Sequence, residues 1–229
     1  MFCHHCGTEV VAQAQFCTSC GQPLSSVPAP LSGVVAWTPP TRVQAAPARW
    51  IGEGWRLVKA DLGTYVLIAV VFFVLSSVPF IQGALIAGFH IYTMKKLAGR
   101  RAEFGDLFQG FNFFVHTLVA SILIGFFVFL GTLLLIIPGI IIAAMYKFTY
   151  LFIVDKRMEF WPAMKASHAV VKNDYFGFTM FLILAFLVNV LGFCCLIVGL
   201  LVTVPVTIAA ITVAYREVVG FEPRTFDTL

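Results

Sequence analysis

Six apolar runs, separated by short breaks or polar segments, occupy most of the chain after residue 60. They are Leu62–Val78, Phe80–Met94, Phe113–Ile137, Ile140–Val154, Phe176–Leu196 and Leu200–Tyr215. A helix that crosses a bilayer needs about 20 apolar residues. The second and fourth runs are shorter than that, so we expect polar residues near their ends to extend them. The pattern predicts an all-α membrane domain over residues 49–221, with about six transmembrane helices.

Three breaks divide the six runs into hairpins. Val78-Pro79 and Pro138-Gly139 are clear turn signals, because proline and glycine interrupt regular helices. The third break, from Cys194 to Gly199, is less sharply defined, since Pro205 could either kink the last helix or begin it.

The composition supports the same class of protein. Hydrophobic residues make up 60% of the chain, charged residues only 11%, and the mean hydropathy is +0.93. Soluble domains carry roughly 25% charged residues. A soluble core of this size could not hide so much apolar surface, so the excess is predicted to face lipid.

The 15 Lys and Arg residues predict the topology. None of them lies in a predicted hairpin turn, and no Asp or Glu does either. Two loops between hairpins carry clusters of cations: Lys95, Lys96, Arg100 and Arg101, then Lys156, Arg157, Lys165 and Lys172. Because cytoplasmic loops carry an excess of positive charge, we expect both loops and both termini to be cytoplasmic in a bacterial inner membrane. An even number of crossings, such as six, fits that orientation.

Four cysteines near the N-terminus have the spacing of metal ligands. Cys3-x-x-Cys6-Gly7 is followed, ten residues later, by Cys17-x-x-Cys20-Gly21. Two such knuckles provide four thiolates, which complete the closed tetrahedron of a structural zinc site. The spacing predicts that residues 1–21 bind one Zn²⁺ ion, with iron in a rubredoxin-like site as the alternative. A unit this small has almost no core, so metal binding must supply its folding free energy.

This segment resembles the short zinc-ribbon domains at the N-termini of many prokaryotic membrane proteins. The resemblance implies metal binding and contact with a protein partner rather than catalysis. Residues 1–21 contain no Lys or Arg, and phosphate contacts need cations, so we expect no nucleic acid partner. The Pro-, Ala- and Ser-rich residues 22–48 are predicted to be a flexible linker, and residues 222–229 a cytoplasmic tail.

A threefold internal repeat of roughly 55 residues is also predicted. Its units begin near Trp50, Phe104 and Trp161, and in each a short stretch of aromatic and polar residues leads into one hairpin. We expect these stretches to form amphipathic helices that lie in the membrane plane. Trp50, Trp55 and Val58 in the first, and Trp161, Met164, Ala169 and Val170 in the third, would then face lipid. The alternative is that the stretches are the polar ends of spanning helices.

Ionisable residues within the apolar runs mark candidate functional sites. They are His90, His116 and Lys147. Lys147 lies nine residues after Pro138, roughly 13 Å along a helix. A possible intramembrane polar site would use Lys147 and His90 to contact a substrate or a proton. The alternatives are that Lys147 extends to the cytoplasmic interface or pairs with a neighbour, and that the histidines only contribute to packing.

Residues 50–215 resemble a poorly characterised bacterial six-helix membrane family, related to the membrane domain of some glycerophosphodiester phosphodiesterases. The segments that carry this resemblance are Ile137-Pro138-Gly139-Ile140, Tyr146, Leu151–Asp155, Ala166-Ser167, and Gly199–Pro205 with Tyr215. No phosphodiesterase catalytic domain accompanies them, so the resemblance implies a fold but no activity. The chain also lacks Ser-His-Asp, His-Glu-x-x-His and Gly-rich phosphate-loop motifs.

The sequence therefore favours a non-enzymatic membrane protein whose cytoplasmic zinc ribbon serves as an interaction module, in a scaffold or regulatory adaptor role. A small transporter or channel that uses Lys147 and His90 is the alternative, and a lipid-handling enzyme is the least favoured. The identity of a partner or substrate and the oligomeric state are not indicated by any motif.

Overall fold

The computed structural model describes residues 20, 37–195 and 198–227 of the chain. Two compact units are distinguished, Met1–Thr38 and Pro39–Leu229. The described part of the second unit is built from ten α-helices without a β-strand. They are α1 (Pro47–Ala60), α2 (Leu62–Leu75), α3 (Gln82–Leu97), α4 (Asp106–Gln109), α5 (Phe114–Leu134), α6 (Ile136–Met145), α7 (Thr149–Asp155), α8 (Phe160–Val171), α9 (Tyr175–Cys194) and α10 (Leu200–Val218).

The long helices of the second unit form a ring. Helix α3 contacts α2 and α5, helix α6 contacts α5 and α9, and helix α10 contacts α9 and α2. Each of the three helical hairpins therefore contacts both of the others. The order of a short helix followed by a hairpin occurs three times, as the predicted repeat requires, although the repeat itself stays a prediction.

Two of the three turns lie at the positions predicted from the sequence. Helix α2 ends at Leu75 and Pro79 begins a short 3-10 turn before α3, while α9 ends at Cys194 and α10 begins at Leu200. The second turn is at Leu135 (φ −163°, ψ 148°) instead of Pro138-Gly139. Pro138 is the third residue of α6, where proline is tolerated because the first-turn N–H groups have no intrahelical partner. Pro205 lies inside α10.

Four helical segments of the described chain are long and apolar enough to cross a membrane. They are Asp106–Leu134, Ile136–Asp155, Tyr175–Cys194 and Leu200–Val218. A fifth is possible if α1 and α2, which meet at a bend of 100°, count as one broken span. Helices α2 and α3 have 14 and 16 residues, or about 21 and 24 Å at 1.5 Å per residue. The described helices therefore provide four to five spans by length.

The exposed surface of the helices is strongly apolar at the second turn. The five consecutive residues Leu133 to Ile137 are each between 68% and 73% exposed. Contiguous exposed apolar surface of this kind marks contact with a membrane or another protein. The turn also contains no charged residue.

The short helices α1 and α8 pack against the bundle more than the sequence indicated. Trp50, Gly54 and Val58 form the buried face of α1, and a Cβ atom added to Gly54 would lie only 2.8 Å from the Ala210 nitrogen of α10. The Trp50 ring is 5.7 Å from that of Phe178 in α9. The expectation that Trp50 and Val58 face lipid was therefore wrong, because both side chains are fully buried within the protein.

The same correction applies to the buried face of α8. Met164 and Val170, which were expected to face lipid, are 2% and 0% exposed, whereas Trp161 remains 47% exposed. In α1, Trp55 is likewise 46% exposed. Each short helix therefore buries one apolar face in the protein and leaves one tryptophan at the surface.

Both ends of the second unit are docked onto its helices. Val43 is buried, the backbone N–H of Ala45 donates to Asp174 Oδ2 at 3.0 Å, and the Asn173 amide donates to the Pro40 carbonyl at 3.2 Å. At the other end, residues 223–227 form a 3-10 turn that contacts Asp155. The residues from Pro39 onward, although predicted to belong to the linker, are part of this unit.

Candidate functional site

A cavity of about 330 Å³ lies within the ring of helices. Every long helix of the ring contributes to its wall. Its polar lining consists of His90, Tyr146, Lys147, Tyr150, Asn189 and Thr207. The structure therefore brings the two residues of the predicted intramembrane site, Lys147 and His90, to the same cavity. His116 is not among the residues that line it.

Lys147 occupies an interruption in the fourth apolar run. Helix α6 ends at Met145 and α7 begins at Thr149, with turn conformation between them. Ser167 of α8 bridges the interruption: its hydroxyl donates to the Met145 carbonyl at 2.7 Å and accepts from the Phe148 N–H at 3.1 Å. A side chain inserted into the hydrogen-bond ladder is an established cause of helix breaks. Ser167 was noted in the sequence only as part of a resemblance.

His90 is held in a defined orientation at the cavity wall. Its Nδ1 lies 2.8 Å from Thr212 Oγ1, and the Thr212 hydroxyl donates to the Ile208 carbonyl at 2.9 Å. Because the hydroxyl has one proton and has already donated it, we assign the proton of this contact to Nδ1. The neutral ring then keeps Nε2 as an acceptor.

The Asn189 side-chain carbonyl oxygen and the Lys147 ammonium group of the cavity lack a protein partner in the described part of the chain. The Asn189 amide nitrogen donates to the Ala185 carbonyl and to Thr207, at 2.9 and 2.8 Å, but the buried Oδ1 atom accepts no hydrogen bond. Within the same residues, Lys147 makes no hydrogen bond or ion pair, and none of the lining residues is acidic. Tyr150, in contrast, lies within hydrogen-bonding distance of Ser121, at 3.0 Å.

Asp155 is the centre of a second polar cluster, at the end of α7. Its carboxylate accepts hydrogen bonds from the Tyr215 hydroxyl at 2.9 Å and the Glu222 N–H at 2.9 Å. The Thr225 hydroxyl lies 3.1 Å from the carboxylate and donates to the Asp155 main-chain carbonyl at 2.6 Å. Lys156 Nζ lies 3.3 Å from the carboxylate. The sequence indicated only that Asp155 balances nearby cations. The structure adds that Asp155, 2% exposed, fixes the C-terminal segment to the bundle.

Two further carboxylates pair with the lysines at the end of α3. Lys95 Nζ lies 2.8 Å from Asp106, and Lys96 lies 2.5 Å from Asp61. Asp61 also accepts from the Tyr92 and Thr64 hydroxyls, at 2.9 and 2.8 Å. Burial raises the pKa of Asp61, but these hydrogen bonds and the charge of Lys96 lower it, and the net shift is downward.

The predicted zinc ligands lie mainly outside the described residues. Cys3, Cys6 and Cys17 belong to residues 1–19, and Cys20 is described as exposed. In the described ranges, no group of three or more His, Cys, Asp or Glu side chains could hold a metal ion. The assignment of the four cysteines to zinc therefore remains a prediction from their spacing.

Comparison with known proteins gives a match for the N-terminus. Residues 2–24 match the zinc-ribbon domain family. No curated protein and no solved structure matches the chain. A zinc-ribbon domain is a domain that binds zinc through paired cysteine knuckles, which is the arrangement predicted from Cys3, Cys6, Cys17 and Cys20. The chain therefore carries a zinc-ribbon domain at its N-terminus, joined to a unit of long apolar helices.

Proposed function

We propose that this protein is a non-enzymatic membrane protein that presents a zinc ribbon in the cytoplasm as an interaction module. Its role is that of a scaffold or regulatory adaptor, with one structural Zn²⁺ ion held by the four cysteines. The observation that carries the proposal is the zinc-ribbon match at residues 2–24, on the same chain as four to five helices of membrane-spanning length.

The proposed topology has six crossings, with both termini in the cytoplasm of a bacterial cell. Helices α2 and α3 supply the first two crossings, because the polar residues at their ends can lengthen the hydrophobic match by snorkelling. The ion pairs Lys95–Asp106, Lys96–Asp61 and Lys156–Asp155 all lie near helix ends opposite the hairpin turns. That distribution supports one charged and one uncharged face.

Cysteine labelling in intact cells tests this topology. Ser77→Cys and Leu135→Cys, each in a chain with Cys194 and Cys195 replaced by alanine, are expected to react with a membrane-impermeant maleimide. Arg157→Cys is expected to react only after permeabilisation. Labelling of Arg157→Cys in intact cells, or protection of both turn positions, would contradict the six-crossing topology.

Zinc analysis of the purified full chain tests the ribbon. We expect one zinc per chain, lost in the double variant Cys3→Ser, Cys6→Ser and retained in the control Thr18→Ala, because Thr18 lies between the ligands of the second knuckle but is not one itself. A partner that is cross-linked to wild type and to Thr18→Ala, and not to the double variant, supports the adaptor role. Equal cross-linking to all three proteins argues against it.

A small transporter or channel is the second candidate. It is supported by the cavity next to the α6–α7 interruption, since transporters commonly bind substrates where spanning helices are discontinuous. Reconstituted flux that disappears in Lys147→Met but persists in Lys59→Met, a change at an exposed residue of α1, would favour this function. Liposomes with no flux above the protein-free level would remove it.

A further inference from the structure

The charge of Lys147 needs compensation that the surrounding helices do not supply. Asp155, the nearest carboxylate in the same helical segment, lies eight positions further along the chain, roughly 12 Å at helical rise, which is too distant for an ion pair. Within the described residues the cavity wall contains no acid. A cation at this depth of a bilayer is costly unless it contacts an anion or water.

The cavity combines that cation with a mainly apolar wall. Phe72, Ile86, Ile124 and Ile208 line it together with the polar residues. Its volume of about 330 Å³ is at the lower end of the range for small-molecule sites. A ligand that fills it must therefore present apolar surface to most of the wall and an anionic group to Lys147.

The number of charges narrows the class of anion. One lysine balances one negative charge, whereas a phosphate monoester carries about −1.5 to −2 at neutral pH and would leave net charge buried. His90 adds no fixed charge when it donates through Nδ1 to Thr212. The Asn189 Oδ1 atom, which lacks a donor in the described chain, can accept a hydrogen bond from a hydroxyl, amide or water next to the anionic group.

From these observations we infer that the cavity binds an amphiphile with a single oxyanion charge, its oxygen on Lys147 and its hydrocarbon part along the apolar wall. The inference shares its location with the transporter candidate but does not require transport. The same chemistry is found in a free medium-chain carboxylate and in the phosphodiester headgroup of an anionic phospholipid. The test below distinguishes these two sources.

Binding of radiolabelled decanoate to the full-length protein is the direct test. The protein is placed in nanodiscs of phosphatidylcholine, and saturable binding is measured against empty nanodiscs. We expect about one binding site per chain. Unlabelled decanoate should displace the bound radiolabel, and decanol should do so at least tenfold less effectively, because the alcohol cannot form the charged hydrogen bond. No saturable binding, or equal displacement by decanol, would overturn the inference.

Matched variants locate the site. Lys147→Met is expected to weaken decanoate binding at least about tenfold, while Lys147→Arg retains part of it and Lys59→Met leaves it unchanged. Ala143→Phe keeps the charge but fills part of the cavity, so it is expected to reduce binding as well. Size-exclusion profiles and melting temperatures confirm that each variant is folded. Folded Lys147→Met that binds like Lys59→Met would overturn the inference.

Competition by lipid distinguishes the two sources. Displacement of decanoate by phosphatidylglycerol added to the nanodiscs identifies a phosphodiester lipid as the occupant. Resistance to phosphatidylglycerol identifies a free carboxylate. If decanoate binds but is not transported, the inferred amphiphile site is supported and transport of this ligand is excluded. If another solute is transported in a Lys147-dependent way and decanoate does not bind, transport is supported and the amphiphile site is excluded.

Discussion

Asp155 and Lys147 are eight residues apart in the same helical segment, Ile136–Asp155, yet their surroundings differ. The Asp155 carboxylate accepts hydrogen bonds from the Tyr215 hydroxyl and the Glu222 N–H and lies near Lys156. Lys147 lines a cavity and has no hydrogen-bond or ion-pair partner in the described residues. Both are expensive to place away from water, but at Asp155 the protein itself offsets the cost.

Structural and functional polar residues of this molecule can be separated by whether the protein itself fills their hydrogen-bonding capacity. A buried charge whose hydrogen-bonding capacity is filled by the protein stabilises one arrangement of its helices. A buried charge left without a partner lowers stability and is retained where a ligand supplies the missing contact. By this criterion Asp155 and Asp106 are structural, whereas Lys147 fits the proposed amphiphile site.

Removing the carboxylate of Asp155 is expected to have the largest effect on stability. Asp155→Ala leaves the Tyr215 hydroxyl and the Glu222 N–H without their acceptor and leaves Lys156 with Glu222 as its remaining ion-pair partner. Loss of one member of a buried charged network costs about 3–5 kcal/mol. The free energy of unfolding in detergent, measured by denaturant titration, checks this. Glu159→Ala is the control, because Glu159 is exposed. Equal effects of the two changes would contradict a structural role for Asp155.

Ser167→Ala is expected to have an intermediate effect. It removes the hydroxyl that bridges the α6–α7 interruption and leaves the Phe148 N–H and the Met145 carbonyl unpaired, at a cost of about 1–3 kcal/mol. Ser76→Ala provides a matched control, because the buried Ser76 hydroxyl has no partner among the described residues, so its removal should cost less. The same denaturant titration compares the two. A Ser76→Ala loss as large as that of Ser167→Ala would show that the bridge contributes nothing specific.

The smallest expected effect on stability is the pH dependence that arises from ionisation of Asp61. Since its pKa is lowered in the folded protein, the stabilisation by ionised Asp61 is present above its unfolded pKa of about 3.9 and is lost as the pH falls through the folded pKa. Between pH 6 and pH 3, wild type should therefore lose more stability than Asp61→Asn, by less than about 1 kcal/mol for this partly exposed pair. Parallel pH profiles of melting temperature would contradict this.

Much of the fold could be predicted from the distribution of charges and helix breakers. The predicted turns at Pro79 and Cys194–Gly199 contain no charged residue, and the loops between hairpins contain clusters of cations. Together these features predicted helical hairpins with their charged ends on one side. These signals are local, because each turn depends on a few adjacent residues. Lys147 and His90 were identified for the same reason, since a titratable residue within an apolar run is conspicuous without any structure.

The features that the sequence did not predict depend on contacts between distant residues. The interruption at Lys147 is bridged by Ser167, twenty residues further along the chain. The burial of α1 depends on the close approach of Gly54 to Ala210. That the Asn189 Oδ1 atom accepts no hydrogen bond from the described residues is evident only when the partners of its amide nitrogen are known. No local pattern encodes these contacts, so they could be recognised only in the folded chain.

The most direct test of the central distinction compares two lysines substituted by the same residue. Lys95→Met removes the partner of Asp106, which lies 2.8 Å away, whereas Lys147→Met removes a cation without a protein partner in the described chain. Denaturant titration of both variants in detergent, without added amphiphile, is expected to show a loss of about 1–3 kcal/mol for Lys95→Met and an unchanged or increased stability for Lys147→Met. A loss in Lys147→Met as large as that in Lys95→Met would show that the protein itself compensates the charge of Lys147, and that Lys147 is a structural residue like Lys95.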